Sequence, residues 1–461
     1  MLSPTLDRGI GFWQATAINI TQIVGAGVFA TIPLILGVLP GAYGLLAWLV
    51  AGVLIFCDGL IWSELGAALP SSGGSYHFLR ECYGRNSWGR LMSFLFVWQI
   101  LISGPLEIGS GLTAAAQFSI AVSPRYATFD KDHTTQIEIA IEQAKEGEDA
   151  KKVGITFSPS RIFGLALGVV IIALLSRRIA TLGKLSVFFL IGILGVIVWV
   201  LFEGALHFDP KLALAVSTTP PAKGYGAALG AGMAFAIYSY LGYYNVCYLG
   251  DEVKNPSRTI PHAVLTSVVA VIILFTLVHL AITGTVPMEE ALKEKDNLTA
   301  FFMTRVRGEW AGIIVSILLV GSCFASAFSG MLGYSRVPYA AALDGHFFKW
   351  FAAVNPKTHI PLRSLLLIGG LSLFWSLFSL DAIISALIAT RILEQFVAQA
   401  IGLMLYRKSG RPLPWRMWLY PLPCLLALFG WIFVYATTEW LYIFIGAATL
   451  VVGAIVYFLR R

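Results

Sequence analysis

This sequence is short of charge. Asp, Glu, Lys and Arg make up 12% of its 461 residues, about half the share usual in a soluble globular chain. That scarcity excludes a molecule whose whole surface faces water. Catalytic signatures are missing as well: there is no Walker loop, no paired His/Cys metal spacing and no nucleophile elbow. Neither an enzyme nor a resident cofactor or metal is expected. Cysteines are few and odd in number. Cys57, Cys82, Cys247, Cys323 and Cys424 fall in or at the ends of apolar runs and read as small packing residues, not a disulfide framework.

What the chain has instead is apolar length. Hydrophobic residues make up 57%, and a run of about 18 or more apolar residues reads as a membrane-spanning helix. The fold class expected is an all-α polytopic membrane protein with twelve spans, near residues 10–37, 42–68, 88–118, 159–176, 183–206, 224–249, 260–286, 309–341, 361–379, 382–406, 417–437 and 439–459. The first run is long enough to remain as a span, so no cleavable signal peptide is expected. Lys and Arg concentrate in alternate short connectors, among them Arg80, Arg85, Arg90, Lys254, Arg258, Arg336, Arg407 and Arg411. By the positive-inside rule both termini are cytoplasmic. The net charge of +7 reflects that bias, and no nucleic acid partner is expected.

One connector is long. Residues 119–158 contain "TTQIEIAIEQAKEGEDAKK", whose charge spacing suggests an amphipathic helix covering the outer face. Two other connectors, 70–84 and 287–308, occupy corresponding places in two five-helix blocks but face opposite sides. Five is odd, so the second block starts on the other side, as an inverted repeat requires. The chain therefore divides into a first repeat at 1–206, an inverted second at 224–406 and peripheral spans at 417–461.

The first span and its counterpart, the sixth, both have soft centres. "TQIVGAGVFATIPLIL", Thr21–Leu36, places Gly25, Ala26 and Gly27 at mid-depth; the sixth span carries "SYLGYYN" around Gly242. Irregular backbone at that depth is tolerated only where it is buried in protein or lines a cavity. Broken helices expose N–H groups that attract anions and C=O groups that attract cations. That pair of poles suits a zwitterion. Gly25–Ala26–Gly27 is the expected carboxylate site, with the carbonyls of Thr21, Ile23 and residues near Tyr238 for the ammonium. Close helix packing is the competing reading of a lone small-residue pair; the matching break in the sixth span favours a site.

Four motifs now carry a resemblance. "GAGVF" in the first span, "WSELGAALPSSGGSYHFLRECYG" after the second, "GDEVKNPSRTIP" after the sixth and "SRVPYAAALDGHFFKWFAAVNPKTHIPLRSLL" after the eighth resemble the amino acid–polyamine–organocation superfamily along nearly the whole chain. "TLGKLSV" and "GSCFASAFSG" resemble the L-type amino acid transporters and their bacterial relatives. The resemblance implies a LeuT-type 5+5 inverted repeat with discontinuous helices 1 and 6 and alternating access. It implies a substrate site at Thr21, Ile23, Gly25, Ala26, Gly27, Tyr238, Ser239, Leu241, Gly242 and Ser322, with Tyr238 also an aromatic gate. Lys184 falls where sodium-independent members carry a lysine that bridges helices 1 and 8 through Gly25, Ser326 and Ser329; a snorkelling lysine is the alternative. The loop 119–158 holds no cysteine, so no disulfide-linked ancillary subunit is expected.

Ionisable residues within spans are costly and invite a functional reading. Glu107 follows Pro105 and is read as accepting a proton, facing the substrate or pairing with Arg391; Asp58 is grouped with it as a coupling residue. Arg391 and Glu394 are three apart on one helical face and are expected to neutralise each other. His279 reads as a packed neutral histidine. Asp251 and Glu252, opposite Arg336, form either a gate or a static tie. The function expected is sodium-independent transport of small neutral amino acids across the plasma membrane, as exchanger or proton symporter. A polyamine or cationic amino acid symporter is the alternative; a non-transporting amino acid sensor is the alternative of another class.

Overall fold

The computed structural model describes residues 8–25, 27–71, 73–140, 152–176, 182–217, 220–221, 223–294, 297–353 and 360–460. The chain is helical nearly throughout, because backbone in an apolar medium must satisfy its own hydrogen bonds. It begins with α1 (Phe12–Ile23) and α2 (Gly27–Val38), set at 44° to each other. α3 (Tyr43–Ala68), α4 (Ser75–Cys82), α5 (Gly89–Ile120) and α6 (Pro124–Asp132) lead to a hairpin, β1 (Thr135–Ala140) and β2 (Lys152–Phe157). α7 (Pro159–Leu175), α8 (Leu182–Leu206), α9 (Pro210–Ala213) and α10 (Gly224–Tyr240) precede two 3-10 turns at Asn245–Tyr248 and Gly250–Glu252. Then come α11 (Pro256–Thr283), α12 (Met288–Lys293), α13 (Leu298–Arg307), α14 (Glu309–Tyr334) and α15 (Arg336–Leu343). α16 (Leu362–Trp375) and α17 (Leu380–Arg391) are followed by a π-helical turn at Ile392–Val397, then α18 (Ala398–Lys408), α19 (Leu422–Thr437) and α20 (Trp440–Leu459).

Among the described residues, α3, α5, α11, the run Glu309–Leu343 and α20 are each long and apolar enough to cross a membrane, as is the bent pair α1–α2. Shorter apolar helices lie at Pro159–Leu175, Ile191–Leu206, Leu362–Trp375 and Leu422–Thr437. This is a polytopic helical membrane protein. Two interior faces position the site. α3 packs along α11 and α10, and α5 packs along α14, α16 and α17.

The long connector departs from expectation. Residues 135–140 form a strand, not an amphipathic helix, and pair antiparallel with 152–157 in the register Thr135↔Phe157 to Ala140↔Lys152. In "TQIEIA", Ile137 and Ile139 alternate with Gln136 and Glu138, a period of two, and its β-branched residues favour extended backbone. The helical charge spacing relied on residues 141–151, which lie outside the described residues. Thr156 N–H donates to the Leu377 carbonyl at 2.9 Å, and Ser160 N–H to Asp130 at 2.6 Å. The hairpin is thus tied to the turn between α16 and α17, and the start of α7 that follows it is tied to α6.

Candidate functional site

Both soft centres are true breaks. α1 stops at Ile23, and Gly25 N–H turns back to the Ile23 carbonyl at 2.9 Å. α2 starts at Gly27. Ala26, assigned to the carboxylate site, lies outside the described residues. α10 stops at Tyr240; Leu241 is extended (φ −57°, ψ 142°) and Gly242 has φ 111°, which few residues other than glycine adopt. The broken ends meet. A Cβ on Gly27 would lie 3.0 Å from the Ser239 Cα, and one on Gly242 would lie 2.6 Å from the Gln22 Cγ. Thr31 and Ser239 hydroxyls hydrogen-bond at 2.7 Å across the same seam.

The predicted site residues are placed as follows. Ile23 and Leu241 are buried. Tyr238 hydroxyl hydrogen-bonds Ser110 of α5 at 2.8 Å. Ser322 Oγ is buried without a hydrogen-bond partner among the described residues. Thr21 gives its hydroxyl to the Ala17 carbonyl of its own helix at 2.8 Å. Ser326 abuts the α1 break, since a Cβ on Gly25 would lie 2.7 Å from its Oγ; Ser329 is half-buried nearly one turn further along α14. The Lys184 side chain lies outside the described residues.

Glu107 is the hub of a polar cluster beside the breaks. Its Oε2 accepts from Arg391 Nη1 at 2.5 Å and from the Tyr334 hydroxyl at 2.6 Å, and its Oε1 accepts from Gln22 Nε2 at 3.4 Å. Arg391 also donates to Ser103 at 3.1 Å and to the Tyr244 hydroxyl at 3.2 Å. Arg391 therefore pairs across the bundle and not with Glu394. The helix widens to a π turn directly after Arg391, and Glu394 Oε1 is buried with no hydrogen-bond partner among the described residues.

Asp58 sits elsewhere. It is 1% exposed and accepts from the Tyr243 hydroxyl and from Trp431 Nε1 at 3.1 Å. It belongs to a ladder by which α3 holds the broken segment: Tyr240 donates to the Trp48 carbonyl at 3.3 Å, Tyr243 to Asp58, and Tyr244 stacks on Trp62 with ring centres 4.4 Å apart. His279 accepts from Trp48 Nε1 through Nδ1 at 3.1 Å, which fixes it as a packed histidine with a bare Nδ1.

The Arg336 side chain donates to the Leu332 carbonyl at 3.3 Å. Tyr76 hydroxyl donates to Asp344 at 2.9 Å and Arg80 lies 3.5 Å from the same carboxylate, joining two of the quoted motifs. Burial, then the Asp344 charge, pushes the Tyr76 phenol far above its ordinary range, so it stays a donor.

Sequence reasoning missed Gln22, Tyr334, Tyr243, Tyr244 and Trp431. Gln22, Tyr243 and Tyr244 carried a signal, being polar groups at or next to the breaks; Tyr334 falls just outside the motifs. Trp431 carried none.

Fold and site together define a polytopic membrane protein in which two interrupted helices meet inside the bundle. The chain belongs to the amino acid permease family, whose model matches residues 10–459. It is similar to the serine/threonine exchanger SteT of Bacillus subtilis, 26% identical over 94% of this chain and 91% of that one. It is similar to the human cystine/glutamate transporter, 27% identical over 88% of this chain and 75% of the relative. Cationic amino acid transporter 4 of Homo sapiens is 25% identical over 89% of this chain, which spans only 62% of that relative's length.

Proposed function

We propose that this protein is a sodium-independent secondary carrier of small neutral amino acids, working by alternating access in the plasma membrane. The observation that carries the reading is the contact between the two breaks, Gly27 on Ser239 and Gly242 on Gln22. There the first amides of α2 and the last carbonyls of α10 lack intrahelical partners, and they offer opposite poles to an α-carboxylate and an α-ammonium. Ile23, Tyr238, Leu241 and Ser322 supply an apolar and hydroxyl lining for a small side chain. The reading takes the two halves as a twelve-span LeuT-type inverted repeat with cytoplasmic termini. Lys184, with Ser326 and Ser329, stands in for sodium; Asp251, Glu252 and Arg336 work as a gate in another state; Asp58 and Glu107 act in coupling. The similarity to a serine/threonine exchanger supports the neutral class.

Uptake of radiolabelled alanine, serine and leucine into proteoliposomes tests this, against arginine and putrescine, with and without a pH gradient or internal amino acid. Competition confined to neutral amino acids is expected, and Lys184→Met should abolish uptake while expression persists. Uptake of arginine or putrescine in preference to alanine overturns the substrate class. Absence of any counterflow overturns the carrier in favour of a sensor.

A further inference from the structure

We propose that the Glu107–Arg391 pair is the charge filter of the substrate site, keeping the wall beside the two helix breaks electrically neutral so that a zwitterion is admitted and a substrate of net charge is not. The inference rests on the carrier reading above. The charge of Glu107 is already compensated. Glu107 receives three donors from three helices, Arg391 of α17, Tyr334 of α14 and Gln22 of α1. Three of its about four acceptor positions are taken and Arg391 already neutralises its charge, so a cationic side chain meets no uncompensated carboxylate there. Arg391 is fully buried, lies 5.3 Å from the Tyr334 ring centre, and spends Nε and Nη1 on Ser103, Tyr244 and Glu107. Its Nη2 has no partner among the described residues, and neither do Gln22 Oε1 or Ser322 Oγ.

Position links the pair to the substrate. Gln22 is the penultimate residue of α1 and packs on Gly242; Tyr244 lies in the segment that follows α10. The Ser110 hydroxyl binds the Glu107 carbonyl at 2.6 Å and the Tyr238 hydroxyl at 2.8 Å. Both breaks therefore touch the pair or its direct partners. A buried ion pair is a poor device for stability, because desolvating two charges consumes most of their attraction. Its use here is balance: either charge alone would bias a zwitterion-sized site toward substrates of the opposite sign. At about 8 Å and an effective dielectric of about 20, one uncompensated charge shifts selectivity by about thirtyfold.

The test uses the full chain in proteoliposomes, with radiolabelled alanine, arginine and glutamate, and ligand-induced thermal shifts in detergent to read binding without transport. Glu107→Gln should move preference from alanine toward glutamate by about tenfold or more, and Arg391→Gln toward arginine by a similar factor. The double variant Glu107→Gln/Arg391→Gln should return to alanine. Where a single variant does not fold, Gln22→Lys adds a charge beside the intact pair and should favour glutamate. Unchanged selectivity in the folded single variants, or in Gln22→Lys, overturns the filter. A parent that binds arginine as well as alanine overturns the neutral-substrate reading and the filter together, whereas unchanged variant selectivity in a parent confined to alanine overturns the filter alone. A parent that binds none of the three overturns both.

Discussion

Replacing Gly25 by alanine tests the contact between the first break and α14. The added methyl would lie 2.7 Å from the Ser326 Oγ and 2.8 Å from its Cβ. Carbon contacts are comfortable at about 3.5–4.0 Å, so the break and α14 must part by roughly 0.7 Å. Overpacking of this kind costs about 1–3 kcal/mol, about five- to 150-fold in an equilibrium. A double-mutant cycle assigns the cost. Ser326→Ala removes only the Oγ and leaves the Cβ overlap, so it rescues in part. Ser326→Gly removes both atoms and should rescue fully, once its own helix cost of about 1 kcal/mol has been measured in the single variant. Gly27→Ala provides a control, because its nearest neighbour is the Ser239 Cα at 3.0 Å, a backbone atom that no side-chain change can withdraw. The assays are the thermal midpoint in detergent and the initial uptake rate. Parental values for Gly25→Ala, or a loss that Ser326→Gly does not relieve, refute the contact between α14 and the first break.

Two further perturbations test the frame around the site. Glu64 is fully buried, takes a bidentate pair from Arg407 at 2.5 and 2.6 Å and also accepts from Met417 N–H at 2.8 Å; Glu64→Gln should cost about 3 kcal/mol, read as a lowered thermal midpoint, with the Glu64→Gln/Arg407→Gln pair less affected than the single change. Thr156→Pro deletes the donor to Leu377 and places proline within a strand, at about 1 kcal/mol for the bond; limited proteolysis should then cut the hairpin first while the helical body stays resistant, and an unchanged cleavage pattern argues against the tie.

The helical, membrane-spanning character was legible because apolar runs are long and one residue decides little. The breaks were legible for a different reason: Gly25, Gly27 and Gly242 have no use as helix formers at those positions, and glycine reports backbone geometry directly. The hairpin was misread because charge spacing outweighed the two-residue alternation of Ile137 and Ile139. For Arg391 the pairing with Glu394 was preferred over the pairing with Glu107, itself one of the readings of Glu107, because spacing along one helix says nothing about a partner on another. Residues three apart share a face, but the π turn beginning at Ile392 changes that face immediately after the arginine, and Glu107 of α5 offers a geometry Glu394 does not. Trp431 was beyond reach, since a tryptophan in an apolar run looks the same whether it faces lipid or donates to a buried Asp58.

The two breaks are held by different means, and the difference locates the weaker interface. The segment after α10 is fastened to α3 by the Tyr240, Tyr243 and Tyr244 ladder, and to α1 by Asn19, which accepts from Val246 N–H at 2.9 Å. Stacked and hydrogen-bonded aromatics of this kind resist separation together, since each ring adds about 0.5–1.5 kcal/mol beyond its buried area. Toward α5, α14 and α17 the same elements present Gln22 on Glu107, Tyr238 on Ser110, Tyr244 on Arg391 and the bare face of Gly25 on Ser326. These are single polar bonds, each about 1 kcal/mol net and about 2–3 where a charge takes part, beside a contact with no side chain to interlock. A relative movement of the two sets exchanges such bonds at lower cost than it would dismantle the ladder. In the proposed cycle α1, α3 and α10 therefore travel as one body, and the Glu107–Arg391 pair stays behind with α5 and α17 as the fixed wall against which they move.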